Sequence, residues 1–198
     1  MSGSITLDKV TFPINSSFSD LVDNLRVGGF LSLAGTKGHW GFFADIEYIS
    51  LKGTSSTRVP VELRLDTLIG ELDASYSPSR SSELRFVGGV RMFDVGQSLF
   101  ISEEPALEAS ITVVDPIVGA VGNWELGEAW LFRMRGDIGG FGVGSEFTYQ
   151  LMLEFQWRIS DSVGLPFGYR VLSYQIRKDS NWLDTRLSGL FLGFEFSF

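Results

Sequence analysis

The stretch Glu146-Phe147-Thr148-Tyr149-Gln150-Leu151-Met152-Leu153-Glu154-Phe155-Gln156-Trp157-Arg158-Ile159 decides how the chain is read. Its odd positions, Phe147 to Ile159, are all apolar or aromatic, and its even positions, Glu146 to Arg158, are polar or charged except Met152. Period two is the pattern of a β-strand, whose successive side chains point to opposite faces. A strand in a soluble sandwich usually has about 5–6 residues. This one is long enough to cross a bilayer when tilted, with its apolar face outward and its charges inward.

The same rule extends in both directions along the chain. Leu190, Leu192, Phe194, Phe196 and Phe198 share a face opposite Gly193, Glu195 and Ser197, and the chain stops on Phe. Trp130, Phe132, Met134, Gly136 and Ile138 oppose Arg133, Arg135 and Asp137. Trp40, Phe42, Ala44, Ile46 and Tyr48 oppose Asp45 and Glu47, while Leu84, Phe86, Gly88, Val90 and Met92 oppose Arg85 and Arg91. Four further strands are expected at residues 25–34, 61–76, 112–121 and 163–174. Pro116 and Pro166 argue against an undistorted ladder in two of them. Between Val61 and Tyr76 the apolar set moves from odd to even positions, which predicts a bulge or an extension beyond the bilayer.

Short turns are expected at Gly35-Thr36-Lys37-Gly38, Ser77-Pro78-Ser79-Arg80, Asn123 to Gly127 and Ser160-Asp161-Ser162. Longer connections fall at residues 52–60, 95–110, 139–145 and 176–184. The fold expected is an all-β, antiparallel, up-and-down transmembrane β-barrel in a single domain, with nine strands visible. Single-chain barrels of this kind normally have an even number of strands. Residues 1–24 are therefore expected either to form an extracellular loop, with an upstream strand completing a ring of ten, or to supply a partial edge strand at Ile5–Phe12 that closes the ring imperfectly.

Composition fits this reading. The 198 residues contain 44% hydrophobic and 20% charged residues, finely interleaved, and no run approaches the apolar length of a transmembrane helix. The 17 Phe, 5 Trp and 5 Tyr suit aromatic girdles. The absence of Cys excludes disulfides and cysteine-ligated metals. A net charge of −8 without a basic tract excludes nucleic acid as a partner. Met1-Ser2-Gly3-Ser4-Ile5-Thr6 has neither the basic nor the apolar region of a secretory leader, which a natural precursor is expected to carry.

Several pieces resemble a known family. They are Phe18-Ser19-Asp20-Leu21, Asp23-Asn24-Leu25, Lys37-Gly38-His39-Trp40-Gly41, Asp115-Pro116-Ile117-Val118-Gly119 and Gly168-Tyr169-Arg170. The block from Arg135-Gly136-Asp137-Ile138 through Ser145 and the ending Phe191-Leu192-Gly193-Phe194-Glu195-Phe196-Ser197-Phe198 complete the set. Together they resemble uncharacterised Gram-negative outer-membrane β-barrel proteins, similar in build to the OmpA-type small barrels. The resemblance implies fold and location but no activity. It places the chain in outer-membrane lipid, with Phe194, Phe196 and Phe198 as the C-terminal signal to the barrel-assembly machinery. Members of that family carry a further aromatic-rich strand upstream of the segment matching residues 3–10.

The candidate chemistry is modest. Asp45, Glu47, Arg85, Arg91, Arg133, Arg135, Asp137, Glu154, Arg158, Arg170 and Glu195 all fall on inward positions, where they are expected to pair and fill a narrow interior. Gly139-Gly140-Phe141-Gly142-Val143-Gly144-Ser145 superficially resembles a phosphate cradle, but it lacks the Lys-Ser/Thr ending of a P-loop and is read as a surface loop. The only histidine, His39, sits in a turn. No catalytic, cofactor or metal site is expected. Three readings remain: a structural or surface-interaction protein using residues 95–110 and 139–145, a small channel, and a soluble lipocalin-like binder with reversed faces. Oligomeric state is left open.

Overall fold

The alternating segments are strands in the computed structural model, which describes residues 2–7, 10–15, 25–55, 61–79, 82–101, 104–178 and 181–198. Two short strands, β1 (Ser2–Leu7) and β2 (Val10–Asn15), come first. Nine long ones follow: β3 (Leu25–Lys37), β4 (Trp40–Ser55), β5 (Val61–Tyr76), β6 (Leu84–Ile101), β7 (Glu104–Glu125), β8 (Trp130–Gly139), β9 (Phe147–Ser160), β10 (Val163–Lys178) and β11 (Asn181–Leu192). A two-residue β12 (Glu195–Phe196) resumes the last strand beside β10. No helix occurs among the described residues.

From β3 to β11 each strand pairs antiparallel with its sequence neighbour, giving an up-and-down sheet curled into a half-barrel. The curl brings distant strands together across the concave face. Phe93 of β6 meets Tyr174 of β10 with ring centroids 4.6 Å apart, and Phe30 of β3 meets the ring of Phe191 of β11 edge-on at 6.2 Å. β3 and β11 run in the same direction, and no ladder joins them among the described residues. Instead β1 pairs with β11, from Ser2↔Arg186 to Thr6↔Trp182, and β2 covers β1. The N-terminal segment thus supplies a hairpin at the sheet edge. Residues 1, 8, 9 and 16–24 of the expected loop lie outside the description.

Burial alternates along the strands and follows the parity read from the sequence. In β9, Thr148, Gln150, Glu154 and Gln156 are buried, whereas Phe147, Leu151, Leu153, Phe155, Trp157 and Ile159 are exposed. The character of the two faces reverses partway along the longer strands. On β6 the convex face runs Leu84, Phe86, Gly88, Val90, Met92 and then Asp94, Gly96, Ser98, while the concave face changes from Arg91 to Phe93 and Val95. β7 reverses between Thr112 and Val114 on its outside and between Val113 and Asp115 on its inside.

Two corrections follow from that reversal. Val61–Tyr76 contains no bulge: β5 keeps an unbroken register with both β4 and β6, and only the chemistry of its faces changes. Most of residues 95–110 and 176–184 are strand rather than loop. The pairs Ile101↔Glu104 and Lys178↔Asn181 carry the ladders almost to the tips. Residues 52–55 likewise belong to β4 and residues 56–60 lie outside the description. Pro116 and Pro166 sit inside continuous strands, with the one irregularity of the β9–β10 pairing at Val163/Gly164.

Above the reversal, the concave surfaces of β5, β6 and β7 pack against those of β10 and β11. Leu65, Ile69, Phe93, Val95, Ile111, Val113, Leu172, Tyr174, Ile176 and Leu183 form one buried apolar cluster. Below it the concave surface is charged and crowded. A Cβ on Gly89, which faces inward, would lie 2.1 Å from Asp73 Oδ1 and 2.3 Å from the Leu72 carbonyl oxygen. A Cβ on its outward neighbour Gly88 would meet nothing closer than 4.0 Å. Gly89→Ala is expected to destabilise the fold by ~1–3 kcal/mol through overpacking. Gly88→Ala is expected to stay within about 0.5 kcal/mol of the parent, as read from the urea unfolding midpoints of the two variants.

Candidate functional site

The charged region is built from residues two apart on single strands, which a strand necessarily places on one face. β5 contributes Glu71 and Asp73, β6 contributes Arg91, and β8 contributes Arg133, Arg135 and Asp137. At the centre Arg91 donates from Nε to Glu71 Oε2 at 2.7 Å, and its Nη2 lies 2.9 Å from Asp137 Oδ1. Arg135 reaches Glu71 at 2.5 Å, Asp73 at 2.9 Å and Asp137 at 3.0 Å, so it ties β8 to β5 across two intervening strands. Its guanidinium also lies over the ring of Phe43, 5.3 Å from the centroid. All five charged groups of this core are buried.

Satellites extend the network. Gln150 donates to Asp137 at 3.2 Å and accepts from Arg170 at 2.7 Å, and Arg170 pairs in turn with Glu47 of β4, on the far side of the curl. Arg133 bonds Asn123 at 2.9 Å and Glu154 at 2.8 Å, with Glu195 at 3.9 Å; Gln156 also donates to Glu195 at 2.9 Å. Buried ions are tolerated only when paired and hydrogen-bonded in this way.

Of the inward residues named from sequence, Asp137, Arg91, Arg135, Arg133, Glu154, Arg170, Glu47 and Glu195 belong to this network. Arg158 instead pairs with Glu125 at 2.6 Å, at the end of the sheet where the short turns lie. Asp45 accepts from Ser32 Oγ at 2.5 Å. Arg85 bonds Ser75 Oγ at 3.1 Å and the His39 carbonyl at 3.0 Å rather than a carboxylate. Glu71 and Asp73 are central, yet sequence reading passed over them. The apparent face shift in their strand hides them, although continuing the odd-numbered face from Leu65 through Ile69 leads directly to both.

His39 has a local role. Its Nδ1 lies 2.8 Å from the Ser77 carbonyl and its ring stacks on Tyr76, bracing two neighbouring turns. Among the described residues no three His, Cys, Asp or Glu side chains are grouped to hold a metal. Beyond the apolar part of the convex face, Glu62 accepts hydrogen bonds from Lys52 and Arg64, each at 2.6 Å, which hold its carboxyl below the usual range.

Residues 140–146 connect β8 to β9. Gly140, Phe141 and Gly142 all have positive φ, at 85°, 50° and 76°. The loop folds back onto β7: Gly140 N donates to the Pro116 carbonyl at 3.1 Å and Ser145 N to Asp115 Oδ1 at 2.6 Å. A strand follows it, so the amides are committed to a tight turn rather than to a helix-capped anion cradle.

The convex face carries the other notable feature. Aromatic rings near the turn end form a nearly continuous row: Trp40 on Tyr76 at 5.0 Å, Trp124 on Phe132 at 5.7 Å, Phe132 on Phe155 at 5.0 Å and Trp130 on Trp157 at 6.3 Å. Phe194 and Phe196 are each 71% exposed and Phe198 is fully exposed. With Phe147 and Phe155 also exposed, the faces are opposite to those a lipocalin-like interior would require. Compared with known protein families and with curated proteins, the sequence matches none.

Removing one partner from the core of the network strands the remaining buried charges. Arg135→Met is expected to cost ~3–5 kcal/mol of unfolding free energy. Arg158→Met, at the partly exposed Glu125 pair, is expected to cost ~0–1 kcal/mol. Urea titrations of the two variants under one set of conditions check the contrast.

Proposed function

We propose that this chain is a bacterial outer-membrane β-barrel protein with a structural or surface-interaction role and an interior filled by its own side chains. The observation that carries the proposal is the pairing of an exposed apolar convex band with a buried ionic network directly behind it. A water-soluble sheet would place these chemistries the other way round. From Phe147 to Trp157 the band spans ten residue steps, or about 25 Å at ~3.3 Å per residue and a tilt near 40°, which suits a bilayer's hydrocarbon layer. The aromatic row fits an interfacial girdle at the turn end.

An open sheet edge does not persist in hydrocarbon, because unpaired backbone N–H and C=O groups cost several kcal/mol each there. β3 and β11 are parallel to one another, so one ascending strand between them pairs antiparallel with both. β1 already ascends beside the upper part of β11. We therefore read the closed form as a ten-stranded ring, with the C-terminal Phe194, Phe196 and Phe198 on its lipid-facing side available to the barrel-assembly machinery. The structural role is favoured over a channel because two fillings lie in series: the Arg91–Arg135 network, then the apolar cluster around Phe93 and Tyr174. Neither chemistry leaves a wetted path in so narrow a ring.

Refolding into detergent tests the proposal. The expected product is β-rich by circular dichroism, migrates differently boiled and unboiled on a denaturing gel, and gives no discrete conductance in planar bilayers. A chain that folds and stays monodisperse without detergent overturns the membrane reading. Ohmic conductance that changes when Arg133 or Arg135 is neutralised overturns the filled interior and favours a channel.

A further inference from the structure

The 140–146 loop has no part in the ionic network, yet it is held in place by strained backbone and a set of hydrogen bonds. Phe141 is the one non-glycine residue with positive φ among the described residues. A bulky residue in that region is strained, and such strain survives only where the surrounding structure enforces it. Here four hydrogen bonds do so: Gly140 N to Pro116 O, Gly142 N to Ser145 O, Val143 N to Gly140 O, and Ser145 N to the fully buried Asp115 carboxylate. A Cβ on Gly144 would lie 2.6 Å from both Asp115 Oδ1 and the Val114 carbonyl, which fixes the height of the loop beside Val114.

This rigid turn leaves two apolar side chains exposed. Phe141 is 52% and Val143 72% exposed. Exposed apolar residues of the convex face lie next to the loop: Ile138 and Phe147 flank it in sequence, and the Val114 backbone lies against Gly144. Below the loop, on the outer face of β7, β8 and β9, lies a shallow groove of about 690 Å³ lined by Val118, Gly136, Ile138, Phe147 and Tyr149. The level is where the outer face of β7 changes from Val114 to Thr112 and where the exposed Glu146–Arg177 ion pair lies, at 3.1 Å. Through Ile138 and Phe147 the loop joins the end of the apolar band at its polar margin.

We propose that residues 140–145 form a wedge in the bilayer interface, with Phe141 and Val143 seated at the boundary between acyl chains and headgroups. The groove beside Gly136 receives an acyl chain of the same leaflet. The occupant is lipid because the patch continues the band that faces hydrocarbon; the proposal rests on the membrane reading given above. A strained loop held to one height fixes the depth of the protein in the membrane, as interfacial anchors do.

The chain has no cysteine, so single-cysteine variants can each be labelled uniquely with a nitroxide. The variants are Phe141→Cys, Val143→Cys, Ile138→Cys in the apolar band and Glu108→Cys beyond it, reconstituted in phosphatidylcholine vesicles. Collision rates with oxygen, which concentrates in lipid, are compared with those of a water-soluble nickel chelate. The expected oxygen-to-nickel ratio at 141 and 143 falls between those at 138 and 108, severalfold above the value at 108. Ratios at 141 and 143 equal to that at 108 overturn the wedge while leaving the membrane reading intact. A water-exposed ratio at 138 as well overturns the membrane reading itself. Dipolar broadening at 143 that vanishes on dilution with unlabelled protein assigns the patch to a second copy and also overturns the lipid assignment. Val143→Cys leaves the strained Phe141 in place, so the test does not depend on the fold tolerating a change there.

Discussion

Arg91 and Arg135 hold the concave face together. Between them they contact Glu71, Asp73 and Asp137, and through these five groups β5, β6 and β8 are fixed against one another across the curl. Ions removed from water are stable only when paired in good geometry, so the positions of the strands are constrained by the reach of two guanidiniums. The fork shape of Arg suits this, because each can address two carboxylates from different strands at once. The remaining polar residues of that face, Gln150, Arg170, Glu47, Arg133 and Glu154, extend the same pattern outward.

The reversal of the faces then explains the rest of the architecture. Where charges lie inside, the outside is Val, Leu, Phe and Trp; where the outside becomes Asp, Ser and Thr, the inside becomes the Phe93–Tyr174 cluster. One strand such as β6 therefore takes part in two kinds of packing. Its first half relies on paired ions behind an apolar surface, and its second half on conventional apolar burial behind a polar surface. We read the boundary as the membrane surface, with β5, β6, β7, β10 and β11 projecting beyond it as a packed two-layer extension.

Much of this was legible in the sequence, because period two is a direct consequence of strand geometry. Five of the long strands, the inward charges of β8 and β9 and the aromatic outer face of β9 can be read from parity, and the other four follow from the turn signals between them. The extensions are not legible in this way, because their outer face is polar where the outer face of the other strands is apolar. At Gly96, Ser98 and Ser110 the outer face turns polar, so residues 95–110 resembled a loop although Val95, Gln97, Ile111 and Val113 kept the alternation. The same reversal conceals Glu71 and Asp73. The closeness of Arg135 to Glu71, or of Arg170 to Glu47, could not be read from sequence, since it depends on how far the sheet curls. The hairpin formed by β1 and β2 was half anticipated as an edge strand, and its partner β11 was not.

The central claim is that the odd-numbered face of β9 lies against hydrocarbon. Intermolecular nuclear Overhauser effects between detergent alkyl chains and assigned side chains measure this directly. The account predicts contacts from the alkyl chains to Leu151, Leu153 and Phe155, and none to Gln150, Glu154 or Gln156. Contacts to the even-numbered set, or none to either, would contradict it.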